Sequence, residues 1–269
     1  MKALKRGLFY LGVAVVCIVP IFVFLWMFLT GFKTQADNLA IPPKVFFRPT
    51  FDNFRSVFVR NDFLKYLLNS TVVAGVSVFV SLSVGLPASF AIARYRMKRL
   101  GLVLLVARMV PFISYLIPWF IVFRSLKLVD TYLSLIMTHL IITLPFIIWM
   151  MVNYFEGVPD SLSESARVDG CTLRQSFLHI VLPVVRNGIF TAAVLSFIFS
   201  WNQFLFSLIL SGNRTMTVPV AVFQFISYEE INWGGLAAAA SVITVPPLIM
   251  TLFIQKYMIR GLTSGAVKG

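Results

Sequence analysis

The stretch LFYLGVAVVCIVPIFVFLWMFLT, residues 8–30, contains no charged side chain. A helix needs roughly 20 consecutive apolar residues to cross a bilayer, so this stretch is long enough. Five further stretches are similarly apolar, one of them interrupted by Arg108. The six predicted transmembrane helices cover residues 8–30, 66–93, 102–123, 132–154, 188–210 and 236–257. The sequence therefore predicts an all-α membrane protein that forms a single domain over residues 1–269.

The overall composition supports this interpretation. Hydrophobic residues make up 59% of the 269 residues and charged residues 12%, with a mean hydropathy of +0.89. A soluble domain has about 25% charged residues, so a soluble enzyme is disfavoured. The first apolar stretch is longer than the core of a secretory signal peptide and no small-residue cleavage site follows closely. We interpret it as an uncleaved first helix.

The net charge of +13 predicts membrane orientation rather than nucleic-acid binding. The cluster RYRMKR, residues 94–99, lies in the short connection between the second and third spans. Short loops rich in Lys and Arg remain in the cytoplasm, which places both termini there. The other basic residues are spread over both sides and form no single face of the kind that nucleic-acid-binding proteins present.

Ionisable groups are scarce at membrane depth. All ten acidic residues fall outside the predicted spans, which leaves Arg108 and His139. Arg108 lies near a helix end from which its charge can reach the interface, and His139 is expected to hydrogen-bond a neighbouring helix. Proton- or sodium-coupled transporters usually need an ionisable group inside the membrane, so a secondary transporter is the less favoured alternative. A transporter of this composition is expected to draw energy from another polypeptide.

No catalytic or metal-binding pattern is evident. Cys17 lies in the first span and Cys171 in a predicted cytoplasmic segment, so neither a disulfide between them nor a metal-ligand spacing is expected. The two histidines are isolated from carboxylates in the sequence, and there is no glycine-rich phosphate loop, GxSxG or HExxH motif. We expect this chain to have no catalytic residue, no metal and no bound cofactor.

The segment 155–187, between the fourth and fifth spans, predicts a helix-turn-helix outside the bilayer. Ser161 and Glu164 have the spacing of a capping box, and Thr172 and Gln175 have it again. Gly170 lies between the two, where the end of a helix favours a left-handed residue. An amphipathic connector that rests on lipid headgroups would satisfy the same pattern.

The second helix of this segment is predicted to be amphipathic. Its apolar face would consist of Leu173, Phe177, Ile180 and Val184. Pro183 is expected to bend the chain toward the fifth span.

The spacing within this segment resembles the EAA loop of permease subunits of binding-protein-dependent ABC importers. The family pattern is E-A-A, three residues, G, nine residues and I-x-L-P. This sequence has Glu164-Ser165-Ala166, three residues, Gly170, nine residues and Ile180-Val181-Leu182-Pro183, with Ser165 as the departure. Residues 201–204 (WNQF), 232–238 and the terminal GLTSGAVKG resemble the MalG-type branch, which serves carbohydrate importers.

The resemblance implies an inner-membrane permease subunit for a carbohydrate, with a polyol or glycerol phosphate as an alternative cargo. Its implied partners are a homologous MalF-type permease, two ATPase subunits that use ATP and Mg, and an extracytoplasmic solute-binding protein. The coupling helix of that family sits in a cleft of the ATPase. The residues implied to couple to the ATPase are Glu164, Ser165, Ala166, Asp169 and Gly170, with Ile180, Leu182 and Pro183 anchoring the loop to the fifth span.

Polar side chains form a stripe along the fifth span. The stripe consists of Ser196, Ser200, Gln203 and Ser207, with Asn202 beside it. Such a stripe either lines a water-filled cavity or hydrogen-bonds a neighbouring helix. We take these five residues as candidates for the substrate pathway, with helix contact as the alternative.

Overall fold

The structure of the protein is a computed structural model that describes residues 2–266. The side chains of residues 2–5, 98, 105, 107, 108 and 256–266 lie outside this description, which includes the side chain of Arg108. The helices are α1 (Lys2–Gly31), α2 (Gln35–Asn38), α3 (Asp52–Val59), α4 (Phe63–Arg94), α5 (Lys98–Met109), α6 (Ile113–Ser125), α7 (Tyr132–Glu156), α8 (Asp160–Val168), α9 (Leu173–Ser176), a π-helix (Phe177–Val181), α10 (Leu182–Val184), α11 (Arg186–Trp201), α12 (Leu205–Leu210), α13 (Val218–Ala221), a 3₁₀-helix (Val222–Phe225) and α14 (Trp233–Ala266).

Four of these helices are long and apolar enough to cross a membrane. The qualifying stretches are Arg6–Gly31 in α1, Phe63–Arg94 in α4, Tyr132–Glu156 in α7 and Trp233–Gln255 in α14. They correspond to the predicted first, second, fourth and sixth spans. The helical fold class is therefore confirmed for residues 2–266, while the count of six membrane crossings stays a prediction.

The predicted third span, residues 102–123, is not continuous as a helix. The chain forms α5 and α6 instead, with a break at residues 110–112. Pro111 explains the break, because the residue before a proline is pushed out of the helical region. Val110 accordingly has φ −69° and ψ 124°.

The predicted fifth span, residues 188–210, is also divided. α11 ends at Trp201 and α12 begins at Leu205, so the polar stripe does not lie on one helix. The Gln203 side chain bridges the break, since its Oε1 accepts a hydrogen bond from the Leu205 backbone N–H at 3.0 Å. A polar side chain that satisfies a free helix N-terminus allows the chain to interrupt a helix at low cost.

The helices group into two compact units. The first comprises Met1–Lys65 and Ala221–Pro246. In it Asn53 Nδ2 donates to the carbonyl oxygens of Gly31 and Lys33 at 2.9 and 2.8 Å, which fixes the chain beyond α1. Gln35 Nε2 donates to the Ile231 carbonyl oxygen at 2.7 Å, and this bond ties α2 to the chain before α14.

The second unit comprises Tyr66–Val220 and Pro247–Gly269. Its core is formed by α7 and α11 with the chain before α11; the buried residues of this cluster are Phe146, Ile147, Met151, Phe155, Val181, Val185 and Ala192. Close helix contacts are made at glycines. A Cβ on Gly85 would lie 2.9 Å from Ile147 Cγ2, and one on Gly188 would lie 2.6 Å from the Tyr154 ring. These contacts require glycine at both positions, because larger side chains would push α4 and α11 away from α7.

Candidate functional site

The candidate site is the segment 155–187, which follows α7. Gly157 ends α7 and α8 begins at Asp160, with Pro159 at its N-cap and no side-chain cap. The predicted capping box of Ser161 and Glu164 is therefore wrong. Helix α8 starts before Ser161, and a proline suits a helix start because its φ is already helical and it has no N–H to satisfy. Asp160 in the first turn complements the positive end of the helix dipole.

The turn after α8 is closed by Gly170 in the left-handed region, at φ +88°. The Cys171 N–H donates to the Ala166 carbonyl oxygen at 2.9 Å, and the Gly170 N–H donates to that of Arg167 at 3.1 Å. These two bonds define a Schellman motif, which satisfies the last carbonyls of a helix. No heavy atom lies within 4 Å of the position that a Cβ on Gly170 would take. Glycine is needed here for its backbone conformation, while the space around it remains open.

The predicted capping box at Thr172 is confirmed. Thr172 Oγ1 accepts from the Gln175 N–H at 3.3 Å, and Gln175 Oε1 accepts from the Thr172 N–H at 2.8 Å. The helix then continues through the π-helix into α10, and this stretch meets α11 at an angle of 77°. The bend falls at Val185, which has φ −93° and ψ 10°, two residues after Pro183.

The predicted apolar face of this helix is partly wrong. Leu173 and Val184 are 45% and 55% exposed, whereas Ser176, Val181 and Val185 are buried. For Val184 the π-helix is the cause, because it places one extra residue in a turn and rotates every later side chain. A period of 3.6 carried past residue 181 therefore selects the wrong side of the helix, whereas Leu173 precedes the π-helix.

Helix α8 has one buried and one exposed side. Ser163 and Ala166 are buried, and Ser163 Oγ lies 3.3 Å from Ser176 Oγ. Small side chains at these positions let α8 lie directly on the following helix. The exposed side and the turn beyond it carry Glu164, Ser165, Val168, Asp169 and Gly170. Val168 is 87% exposed on this side.

The end of the motif lies at the base of α11. Leu182 packs against the buried cluster of the second unit, Ile180 is half-buried and Pro183 is exposed. Val181 and Val185, which the sequence pattern did not single out, are the deeply buried anchors, at 1% and 4% exposure.

Arg94, the last residue of α4, connects this helix to α8. It forms ion pairs with Asp160 and, at 3.4 Å, with Glu164. The sequence pattern at residues 94–99 predicts orientation and does not predict this role of Arg94. A basic residue at a helix C-terminus and an acidic residue at the next helix N-terminus both complement helix dipoles, which was the available signal.

The polar stripe is buried within the second unit, with one exception. Ser196, Ser200, Gln203 and Ser207 are each at most 8% exposed, whereas Asn202 is exposed and donates to the Ile198 carbonyl oxygen. Four of the five candidates therefore face the interior of this unit.

Hydrogen bonds join the helices around this stripe. His139 Nδ1 and Ser200 Oγ are 2.7 Å apart, which confirms the predicted contact of His139 with a neighbouring helix. Ser81 Oγ and Thr143 Oγ1 are 2.6 Å apart. Buried polar atoms with no hydrogen-bond partner among the described residues are Ser77 Oγ, His139 Nε2, Ser196 Oγ, Ser207 Oγ and Thr217 Oγ1. This interior is polar enough to accept hydrogen bonds from a ligand or water.

A second turn of the same unit is held by Asp130. Its carboxylate accepts hydrogen bonds from the N–H groups of Gly212, Arg214 and Thr215 at 2.9, 3.2 and 2.9 Å, and from Thr215 Oγ1 at 2.7 Å. Partial burial raises the pKa of Asp130, but these bonds favour the charged form and the net result is a pKa below the ordinary value of 3.8.

Within residues 2–266, no group of three or more His, Cys, Asp or Glu side chains is arranged to hold a metal ion. The segment 155–187 therefore has a buried side, an exposed side and contacts with α4, α7 and α11.

The family model described as "Binding-protein-dependent transport system inner membrane component" matches residues 81–264. A probable ABC transporter permease protein y4oR of Sinorhizobium fredii is 37% identical over 99% of this chain and 97% of its own length. The trehalose/maltose transport system permease protein MalG of Thermococcus litoralis is 34% identical over 100% of this chain and 99% of its own.

The fold is similar to that of a solved bacterial ABC transporter involved in the import of the acidic polysaccharide alginate. The two chains have a TM-score of 0.77 and 18% sequence identity, with 92% of this chain and 94% of the other covered.

Proposed function

The chain belongs to the family of binding-protein-dependent transport system inner membrane components, and from this premise we propose that it is one of two homologous permease subunits of a carbohydrate importer. The partner subunit would be a MalF-type permease, and two ATPase subunits would supply the energy from ATP and Mg. An extracytoplasmic binding protein would deliver the cargo. The sugar class is supported by relatives named for trehalose, maltose and diacetylchitobiose transport.

The observation that carries the proposal is the construction of α8. Its buried side, Ser163 and Ala166, fixes it to the helix that continues into α11. Its other side leaves Glu164, Val168 and Asp169 exposed at a turn. A short helix of this kind transmits the movement of a docked protein to the helices behind it as a rigid body.

Three connections would carry that movement. α8 follows α7 directly, the buried Val181 and Val185 join it to α11, and Arg94 joins it to α4. Closure of an ATPase dimer beneath α8 would therefore shift three helices of the second unit together. Alternating access requires such a bistable bundle, in which a small displacement at one end rearranges helix packing.

We place the chain in the inner membrane with six crossings and both termini in the cytoplasm. The two interrupted crossings would be α5 with α6 and α11 with α12. The charges support this arrangement, because the basic cluster 94–99 and α8 then lie on the same, cytoplasmic side. Interrupted helices are tolerated at membrane depth where other helices or a cavity surround the break.

The substrate pathway would be lined in part by Ser196, Ser200, Gln203 and Ser207. Their support is the set of unpartnered hydroxyls in the same interior. A sugar exchanges its hydration for such hydrogen bonds when it passes. Asn202 is exposed and would contribute only at an interface with the partner permease.

The test is reconstitution of the chain with its cognate permease, ATPase and binding protein in proteoliposomes. We expect uptake of a radiolabelled disaccharide that requires internal ATP and continues when an uncoupler is added. Uptake that survives ATP depletion and stops with the uncoupler would contradict the proposal and favour a secondary transporter. A parallel melting screen of the binding protein with disaccharides, polyols and glycerol phosphate assigns the cargo.

A further inference from the structure

The first unit contains a buried lysine whose charge has no anionic partner among the described residues. Lys33 is 2% exposed, although it lies just beyond α1. Its Nζ lies 4.0 Å from the centre of the Trp26 ring and 5.2 Å from that of Phe47. The ion pairs of residues 2–266 do not include Lys33, so aromatic rings are its electrostatic neighbours.

The Asp37 carboxylate, which borders the same pocket as Lys33, is already hydrogen-bonded to other side chains. Asp37 accepts hydrogen bonds from Lys44 Nζ at 2.6 Å and from Thr34 Oγ1 at 2.8 Å. The bond from Lys44 is the main reason that the pKa of Asp37 lies below its ordinary value of 3.8. An ammonium group has three N–H donors, and cation–π contact offsets only part of the cost of burying it.

Lys33 borders a pocket of about 470 Å³ whose lining combines polar and apolar side chains. The polar lining residues include Lys33, Asn38 and the Asp37–Lys44 pair. The apolar walls are Trp26, Met27, Trp233, Leu236, Ala237 and Ala240. Its volume suits a small ligand or a headgroup.

A ligand of this pocket needs an anionic group for Lys33 and an apolar part for the walls. The position of the pocket indicates which molecule provides both. It opens at the Gly31 end of Arg6–Gly31, whose mean hydropathy of 2.8 is higher than that of the other three candidate spans. Trp26 and Trp233 have the placement of tryptophans at a membrane interface. A neutral sugar would leave the ammonium unpaired, and a free anion would leave the apolar walls unfilled.

We infer that this pocket is a binding site for an anionic phospholipid, whose phosphate accepts from Lys33 Nζ while its glycerol and first acyl carbons lie against Met27, Leu236 and Ala240. With the orientation proposed above, the lipid belongs to the outer leaflet. The site requires the chain to lie in a membrane but requires no step of transport, so it and the proposed function can fail independently.

The test is quenching of tryptophan fluorescence by brominated lipids, using the full-length chain stripped of lipid in detergent. We expect brominated phosphatidylglycerol to quench at a concentration on the order of tenfold lower than brominated phosphatidylcholine, which corresponds to about 1.4 kcal/mol. Lys33→Met keeps the length of the side chain without its charge and should bring the two lipids to within about twofold of each other. Lys33→Arg should retain the preference.

Lys44→Gln is the matched control, because Lys44 borders the same pocket but its charge is paired with Asp37. It should keep most of the preference for phosphatidylglycerol. Thermal melting provides a second measurement: phosphatidylglycerol should raise the Tm of the wild type and not that of Lys33→Met. Should Lys33→Met fail to fold, equal quenching by the two lipids in the wild type still overturns the inference.

Competition by inorganic phosphate and by glycerol 3-phosphate completes the test. Failure of both to displace the brominated lipid at millimolar concentration supports a lipid site. Displacement by either would overturn the lipid assignment and identify a site for a free phosphate. A preference that persists unchanged in Lys33→Met would also overturn it.

Discussion

Two turns of the second unit use acidic side chains in opposite ways. At the start of α7, the Asp130 carboxylate accepts four hydrogen bonds from residues 212–215 of the same chain. After α8, Asp169 is exposed and its carboxylate makes no hydrogen bond to the described residues, while Glu164 makes one ion pair through an exposed side chain. The first turn is complete in itself, and the second leaves its acids available to another molecule.

Under the proposed function, the difference separates a structural turn from a turn that docks a partner. An acidic side chain that accepts hydrogen bonds from several backbone donors stabilises the fold, so its removal lowers the free energy of unfolding. An exposed acid beside an exposed valine contributes little to folding, so its loss is felt only when a partner binds. The two classes of residue should therefore respond to different assays.

The largest effect is expected at Gly170. Gly170→Asp should reduce ATP-driven uptake by on the order of tenfold or more, because it adds a charge in the open space where we propose that the ATPase docks. Gly170→Asn is the matched control, since asparagine has the same shape and also tolerates a left-handed backbone. It should retain most uptake, and both variants should reach the membrane in wild-type amounts. Normal uptake by Gly170→Asp would contradict the assignment of Gly170 to the proposed docking surface.

Asp130→Ala is expected to have the largest effect on stability. It deprives four donors of their acceptor and should lower the free energy of unfolding by about 2–3 kcal/mol. Asp169→Ala is the comparison, with an expected change within about 0.5 kcal/mol but impaired uptake. Thermal unfolding in detergent measures both. Equal loss of stability in the two variants would contradict the distinction between the two turns.

Acid should weaken the Asp130 turn selectively. Because the folded-state pKa of Asp130 lies below its ordinary value of 3.8, its stabilising contribution is fully present above that value. It is lost as the pH falls through the folded-state pKa. The difference in Tm between the wild type and Asp130→Asn should therefore be constant near neutrality and shrink below pH 3.8. A difference in Tm that grows on acidification would contradict a folded-state pKa of Asp130 below the ordinary value.

The two capping positions of the docking segment should differ in stability. Thr172→Ala should destabilise the helix that begins at Leu173 by about 1 kcal/mol and speed amide exchange there. Ser161→Ala should change stability by only a few tenths of a kcal/mol, because Ser161 caps nothing. Hydrogen exchange followed by mass spectrometry distinguishes them. Equal protection in both variants would indicate that the Thr172 box is dispensable.

A small effect on stability is expected from Arg94. Arg94→Ala removes ion pairs to two largely exposed carboxylates, so the stability should fall by about 0.5 kcal/mol or less. The rate of uptake should decrease by more than this small loss of stability explains, because α8 loses its link to α4. Arg94→Lys keeps the charge and should recover part of the uptake. Unchanged uptake in Arg94→Ala would remove α4 from the coupling path.

The local motifs of the docking segment were predictable where they depend on neighbouring residues. Gly170 and the Thr172–Gln175 box follow from spacing alone, because both are satisfied within a few residues of chain. The four long apolar helices are predictable from the sequence because each is one continuous apolar stretch.

The remaining features depend on packing that the sequence pattern does not express. The π-helix at residues 177–181 shifts the buried face, and no periodicity rule anticipates one extra residue in a turn. Asp130 meets residues 212–215 only in the folded chain, as Arg94 meets Asp160. The Ser161 box failed because Pro159 starts the helix earlier.

Docking of an ATPase on α8 would bury Val168, so chemical accessibility at this residue is the decisive measurement. A Val168→Cys variant, with Cys17 and Cys171 replaced by serine, is labelled with a maleimide in the permease alone and in the assembled complex. We expect labelling on the order of tenfold slower in the complex, equivalent to about 1.4 kcal/mol of protection, with no change at a Ser125→Cys control. Equal labelling of Val168→Cys in both states, with the ATPase bound, would contradict docking on α8.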